Sequence, residues 1–166
     1  MQTDDSGQDP TPAGCFRLEE LEAFQACEQQ VLADVNYYLW LNRADPSAAP
    51  MRFLYCVELI FEDPVSLLLS SGEDSEGIVQ LAPEALIKTA QRLQTLHRQV
   101  SVQRVSAGAF PLWQPVVGRP LAGIRLSRHE SGLYLNDALL LDFGESQIVV
   151  QVGLKDGLEV GVYSTE

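Results

Sequence analysis

A weak internal repeat constrains the fold of this chain more than any other feature of its sequence. Residues 24–35 align with residues 113–124 at a constant spacing of 89 positions. A second block, residues 59–63, resembles residues 141–145 at a spacing of 82. The change of seven positions between the blocks requires only a difference in loop length, and repeats of this kind set the architecture of a fold. The sequence therefore predicts a domain built from two similar halves.

The predicted domain organisation follows from that repeat. Residues 1–14 are polar and rich in Asp, Pro and Gly, which is typical of a flexible leader and not of a secretion signal. Residues 15–166 are predicted to form a single domain, whose halves span about residues 15–81 and 105–166. We expect a helix over residues 83–98 to join the two halves.

Alternation of apolar residues with a period of two predicts the strands. In residues 51–61 every odd position is apolar, which indicates a strand with one face on a core. Residues 133–143 repeat the alternation with one exception, Asp137. Turn residues that follow each segment predict hairpins into the next apolar run. The predicted strands are residues 34–42, 51–61, 66–70 and 77–81 in the first half and 122–129, 133–143, 147–152 and 158–163 in the second.

These elements predict an α+β fold with a mainly antiparallel sheet of about eight strands in two pseudo-equivalent halves, packed as a sandwich or a partly open barrel. A leading helix over residues 17–30 has apolar residues at near-helical spacing and acids in its first turn. Its continuation toward Leu41 also fits the spacing, whereas the aromatic run at residues 36–40 favours a strand. Residues 100–111 fit either a strand or a loop.

Negative charge is concentrated in the first half of the chain. The net charge is −12, and residues 1–80 carry 15 acidic and three basic residues, whereas residues 81–166 carry eight of each. This balance argues against nucleic acids and anionic membranes as partners, because phosphate contacts need Lys and Arg. It favours a basic protein partner that is steered by long-range attraction. A contribution to solubility alone is the alternative interpretation.

Acidic and aromatic side chains of the first half are the predicted contacts for such a partner. The loop over residues 70–77 places three carboxylates within four residues. It lacks the ligand spacing of a known calcium loop, so a solvated hairpin tip and a partner contact are the two interpretations. Aromatic residues at strand spacing are either core or, beside carboxylates, an interface. The predicted partner-binding residues are Glu62, Asp63, Glu73, Asp74, Glu76, Tyr38 and Trp40.

No short catalytic or metal-binding motif occurs in the sequence. The three cysteines match no zinc spacing, and their odd number suits a reducing cytoplasm. His97 and His129 have no Cys or His neighbours that would complete a metal site. No apolar run reaches the roughly 20 residues that a membrane-spanning helix needs. We therefore predict no catalytic residue, no metal, no cofactor and a cytoplasmic location.

Five segments carry a further pattern: residues 113–121, 139–144 and 156–160 in the second half, and residues 58–63 and 70–74 in the first. Together they resemble small bacterial immunity proteins of polymorphic-toxin systems. The resemblance implies tight, non-catalytic binding that blocks a toxin, and it implies no role for any particular residue. The predicted function is accordingly non-enzymatic protein binding, favoured as an immunity or inhibitor protein that neutralises a basic toxin through an acidic surface.

Two other functions stay open at this point. A small-molecule-binding protein would show a deep apolar pocket with a few convergent polar groups. An enzyme without a recognisable short motif would show a cleft that contains two close titratable groups. The sequence leaves the oligomeric state open.

Overall fold

The computed structural model describes residues 14–42, 51–63, 65–71, 77–96, 100–153 and 157–163. Within these residues the chain has an α+β fold with two helices and two antiparallel sheets. Nine strands form there instead of the predicted eight. The elements are α1 (Leu18–Ala26), β1 (Leu32–Asn42), β2 (Met51–Phe61), β3 (Ser66–Ser70), β4 (Val79–Leu81), α2 (Pro83–Leu96), β5 (Val100–Ser106), β6 (Gly123–Arg125), β7 (Ala138–Asp142), β8 (Gln147–Val152) and β9 (Leu158–Val162).

The first sheet has five strands in the order β4-β3-β2-β1-β5. Strands β1 to β4 follow one another as antiparallel neighbours, as the predicted hairpins require. After α2 the chain returns to the opposite edge of the sheet, where β5 pairs antiparallel with β1. Residues 100–106, which fitted either a strand or a loop, are therefore the ninth strand. They extend the first sheet past the predicted boundary of the first half.

The second sheet has four strands in the order β6-β7-β8-β9, again as an antiparallel meander. Strands β6 and β7 are both shorter than predicted, because the chain between them forms only an isolated bridge on either side of the predicted turn. Arg128 and Tyr134 form an isolated antiparallel bridge, and Gly132 supplies the left-handed backbone (φ +93°) that the turn needs. The alternation seen in residues 133–143 is thus divided between this turn and β7.

The predicted single apolar face of β2 is wrong for Phe53 and Tyr55, which precede the change of register in this strand. Val57, Leu59 and Phe61 belong to the main core, but Tyr55 packs on the other side of the sheet. The register between β1 and β2 skips Tyr55, so β2 carries one extra residue at this point. Such a β-bulge reverses which residues face each side.

One hydrophobic core is shared by the two sheets. It contains buried side chains from each of β2, β3, β7 and β8, together with residues of α1 and of the segment that precedes β6. The two sheets are separate in their strand order and do not close into a barrel. The largest fully buried side chains include Trp113, Phe16, Phe61, Leu32, Leu59, Leu121, Leu141 and Ile148.

Both helices occur where the sequence predicts them, although α1 is shorter. Helix α1 ends at Ala26, because Cys27 is its C-cap and Gln29 adopts a left-handed φ of 70°. The strand that follows excludes continuation of the helix toward Leu41. Helix α2 begins at Pro83 as predicted, and the last two residues of the predicted helix lie outside the described residues. Within those residues, neither helix is long and apolar enough to cross a membrane.

Candidate binding sites on the outer faces of the sheets

Helix α2 covers the outer face of the first sheet and leaves a cavity beneath it. Leu86 and Leu93 are buried on the inner side of the helix, and Leu86 packs with Tyr55 and Cys56 of β2. The cavity has a volume of about 220 Å³. Its lining is largely apolar and consists of Tyr38, Glu58, Leu68, Pro83, Leu86, Ile87, Ala90, Val102 and Arg104.

A carboxylate is held in place in this cavity. Glu58 Oε1 accepts hydrogen bonds from the Asn36 amide (3.1 Å) and the Tyr38 hydroxyl (3.0 Å). Burial, followed by the contact with Glu58, raises the pKa of Tyr38 to about 12. Arg104 lowers this pKa, but its effect is smaller than those of burial and Glu58. The phenol is therefore neutral at pH 7 and acts as a donor. The site combines an oriented acceptor with an apolar wall, which suits a ligand that carries a donor or a positive charge.

The two predicted aromatic contacts lie on this same face and are half-buried. The ring of Trp40 stacks on Tyr55 with ring centroids 4.8 Å apart and packs at a tilt on Phe53 at 4.9 Å. Its indole Nε1 is buried and has no hydrogen-bond partner. Much of the Trp40 surface is thus in contact with other side chains of the protein.

Of the predicted acidic contacts, the two that the structure describes, Glu62 and Asp63, are not brought to those aromatics. Glu62 and Asp63 are exposed in the turn between β2 and β3, next to Phe61, which pairs with the first residue of β1. Trp40 lies near the other end of that strand, opposite Phe53. At about 3.3 Å per residue, the length of the strand separates the two groups. The remaining predicted residues, Glu73, Asp74 and Glu76, lie outside the described residues.

The outer face of the second sheet carries a groove that the sequence analysis did not single out. Its volume is about 240 Å³. Arg125 lies at one side and forms a 2.7 Å ion pair with Asp142. The sequence signal was present in the apolar residues at even positions of residues 133–143, opposite those assigned to the core. The groove is lined by Arg125, Leu126, Ser127, Ala138, Leu139, Leu140, Val149 and Tyr163.

Two of the three thiols, those of Cys27 and Cys56, are buried. Burial raises the pKa of Cys27 to about 11 and also raises the pKa of Cys56, which keeps both thiols protonated and weakly nucleophilic at pH 7. His129 is exposed, and its Nδ1 lies 2.9 Å from the Ser131 hydroxyl within a turn. Among the residues that the structure describes, no group of three or more His, Cys, Asp or Glu is placed to hold a metal ion.

Comparisons of the chain with protein-family models, with curated proteins and with solved structures return no match.

Proposed function

We propose that this chain is a non-enzymatic binding protein for a basic protein partner, favoured as an immunity or inhibitor protein that neutralises a toxin. The observation that carries the proposal is the segregation of charge, since the whole net charge of −12 arises in residues 1–80. Such a field accelerates encounter with a basic surface and makes the complex sensitive to salt.

The exposed charges of the first half support this proposal. Among the described side chains of residues 14–71, Arg17 is the single exposed base, and it is paired with Glu20 at 3.4 Å. The exposed acids in the same range are Glu19, Glu22, Glu28, Glu62 and Asp63.

The test is to measure binding to basic candidate partners, beginning with the product of a neighbouring toxin gene. We expect the affinity to fall steeply as salt rises from 50 to 500 mM. The double substitution Glu62→Lys, Asp63→Lys should weaken binding by about tenfold or more and reduce the salt dependence. The matched control, Glu130→Lys with Asp137→Lys, changes the charge equally at exposed positions of the second half and should have little effect. Salt-insensitive binding, or equal effects of both pairs, would contradict the proposal.

We also propose that the two sheets are equivalent halves that arose by duplication. Val31 bridges Pro120, which is its counterpart at the repeat spacing of 89, as expected for two residues on a local twofold axis. Gln29 and Gly118, also 89 apart, both have positive φ. The backbone hydrogen bonds around this bridge form two pairs, and the repeat spacing of 89 converts one bond of each pair into the other. In the first pair, Gln29 N–H donates to Leu121 O (2.6 Å) and Gly118 N–H donates to Leu32 O (2.7 Å). In the second pair, Leu32 N–H donates to Arg119 O (3.0 Å) and Leu121 N–H donates to Gln30 O (2.9 Å).

The strand registers support the same proposal. Asp34 pairs with Ile60 in the first sheet, and Gly123 pairs with Asp142 in the second. Asp34 and Gly123 are 89 positions apart, and Ile60 and Asp142 are 82 positions apart. These are the spacings of the two sequence blocks. Each four-strand meander therefore has matching neighbours at matching positions.

Small-molecule binding in the cavity beneath α2 is a second candidate function, favoured by the oriented Glu58 carboxylate. A cavity of about 220 Å³ accommodates a small ligand, and the surplus negative charge attracts cations. Phenethylamine and hexylamine are suitable probes for calorimetry. We expect Ala90→Trp, which fills the cavity, to abolish binding, and Glu58→Gln to do the same. The control Gln103→Trp, at an exposed position of β5, should leave binding unchanged. Binding that survives Ala90→Trp would contradict this site.

A further inference from the structure

The two outer faces of the sheets have equivalent positions but unequal cover. In the first sheet Glu58 lies between Asn36 and Leu68. In the second sheet Leu140 occupies the equivalent position on the second strand and is paired with Arg125 on one side and Val149 on the other. The cavity beneath α2 and the groove on the second sheet are thus lined by corresponding residues of corresponding strands.

A helix covers the first of these faces. Leu68 is only 2% exposed because α2 packs over it. Val149, its counterpart, and Leu140 are both partly exposed, and Tyr163 is 45% exposed at the rim of the groove. Within the described residues no helix lies against this second face. An apolar strip with the same strand geometry therefore faces solvent where its counterpart carries a helix.

We infer that the outer face of the second sheet docks a basic amphipathic helix of a protein partner. This inference deepens the proposed function and rests on it, since it names the surface on which the basic partner places a helix. Leu140 and Val149 form the apolar floor, and Tyr163 closes one end. A leucine on the partner helix occupies the position that Leu86 of α2 has over the first sheet.

Charge complementarity selects a basic helix for this groove. Helix α2 carries Lys88 and Arg92 against Glu84, so the helix that covers the first sheet is itself net positive within an acidic protein. Around the second groove, Arg125 is neutralised by Asp142, and Glu159 is exposed on the same face. Among the described residues of this face, the Glu159 carboxylate, which accepts a hydrogen bond from Gln151, is the charge beside the groove that favours Lys and Arg on the polar side of the partner helix.

A synthetic peptide of residues 82–98 of this chain, acetylated and amidated, is the probe for the groove. It supplies a basic amphipathic helix of the α2 type. Titration into the intact protein, followed by amide chemical shifts, should perturb β7 and β8 of the second sheet, with a Kd of about 0.1 mM or tighter. Leu140→Asp should weaken binding by about tenfold or more. Tyr163→Ala, at a position that is 45% exposed at the rim of the groove, should weaken it severalfold.

The matched control is Gln103→Asp, which adds the same charge at an exposed position of β5 and should not change peptide binding. Binding that is insensitive to both Leu140→Asp and Tyr163→Ala, or absent at 1 mM peptide, would overturn the inference. A dimer of the free protein that Leu140→Asp dissociates would also overturn it, because the occupant would then be a second copy. If the whole partner loses binding with Glu62→Lys, Asp63→Lys but not with Leu140→Asp, the proposed function stands and the groove does not.

Discussion

A buried carboxylate joins α1 to the edge of the first sheet. Glu20 is 2% exposed and accepts hydrogen bonds from the backbone N–H of Arg17 and of Gln80, each at 2.8 Å. One bond completes the capping box of the helix, and the other satisfies a donor of β4. The same side chain therefore caps the N-terminus of helix α1 and fixes the position of this helix on the sheet.

Removal of this carboxylate should destabilise the fold, because two backbone donors lose their acceptor. We expect Glu20→Ala to lower the free energy of unfolding by about 2–3 kcal/mol, measured by urea denaturation. Glu20→Gln keeps one acceptor and should have an intermediate effect. Glu22→Ala, at an exposed position of the same helix, is the control and should change stability by no more than about 0.5 kcal/mol. Equal effects of the Glu20→Ala and Glu22→Ala substitutions would show that the contact with β4 contributes nothing.

A second residue-scale prediction concerns Asp142 and acid stability. The Gly144 backbone N–H, with Arg125, holds the pKa of Asp142 below its ordinary value. A carboxylate whose folded pKa is lowered stabilises the protein above its unfolded pKa of about 3.9, and this contribution is lost as pH falls through the folded pKa. Asp142→Asn should therefore be less stable than the parent at pH 7, with the difference shrinking below pH 4. The matched control is Asp137→Asn at an exposed position. A difference that is constant with pH would contradict this assignment.

At the scale of elements, local sequence pattern predicted more than pairing. Strands β2, β3 and β8 and the start of α2 occur at the predicted positions, because period-two alternation and Pro at a first helical position are local signals. The pattern did not indicate that β5 would join the edge of the first sheet, since the partner of a strand is set by distant residues. It also missed the bulge at Tyr55, which depends on the register with β1.

The candidate sites were predicted less well than the elements, for the same reason. Glu62, Trp40 and Tyr38 are all residue types that suit a protein interface. In the structure, however, Glu62 lies beyond the start of β1, whereas Tyr38 and Trp40 lie toward its other end. Glu58 lies in one of the segments that resemble immunity proteins, residues 58–63, but was not among the predicted partner-binding residues. Its role in the cavity arises because Asn36 and Tyr38, on the neighbouring strand β1, donate hydrogen bonds to its carboxylate. Helix α2 is placed above these residues by the fold as a whole.

The paired turns at Gln29 and Gly118 provide a test of equivalence between the halves. Both residues have a left-handed backbone, with φ of 70° and 90°, which is unfavourable for a side chain and favourable for glycine. We expect Gln29→Gly to raise the free energy of unfolding by about 0.5–1 kcal/mol. Gly118→Ala should lower it by about 1 kcal/mol from backbone strain alone, because nothing lies within 4 Å of the added Cβ.

The control for this pair is Gly161→Ala in β9, where an added Cβ also meets nothing within 4 Å and φ is not positive. This change should be neutral or slightly stabilising, because alanine restricts the unfolded chain more than glycine does. A loss of stability as large as that of Gly118→Ala would show that the backbone conformation at Gly118 is not the cause.

At the scale of the whole molecule, the two sheets are bound to each other through one core. Trp113, which precedes β6, is fully buried, and its indole N–H donates a 2.6 Å hydrogen bond to the hydroxyl of Tyr37 in β1. The core cluster contains residues from β2 and β3 together with residues from β7 and β8. Each sheet therefore depends on the other to bury its inner face, whatever the evolutionary origin of the halves.

This shared core predicts that the two halves unfold in a single transition. Far-ultraviolet circular dichroism reports the strands of both sheets, and tryptophan fluorescence in a Trp40→Phe variant reports Trp113 alone, at the junction between the halves. We expect the two urea transitions to coincide in midpoint and slope, as two-state unfolding requires. Two separate transitions, or an early fluorescence change while the strand signal persists, would mean that each sheet is stable without the other. Coincidence would mean that a partner that stabilises the second sheet also stabilises the acidic first half, since ligand binding to the native state shifts one common equilibrium.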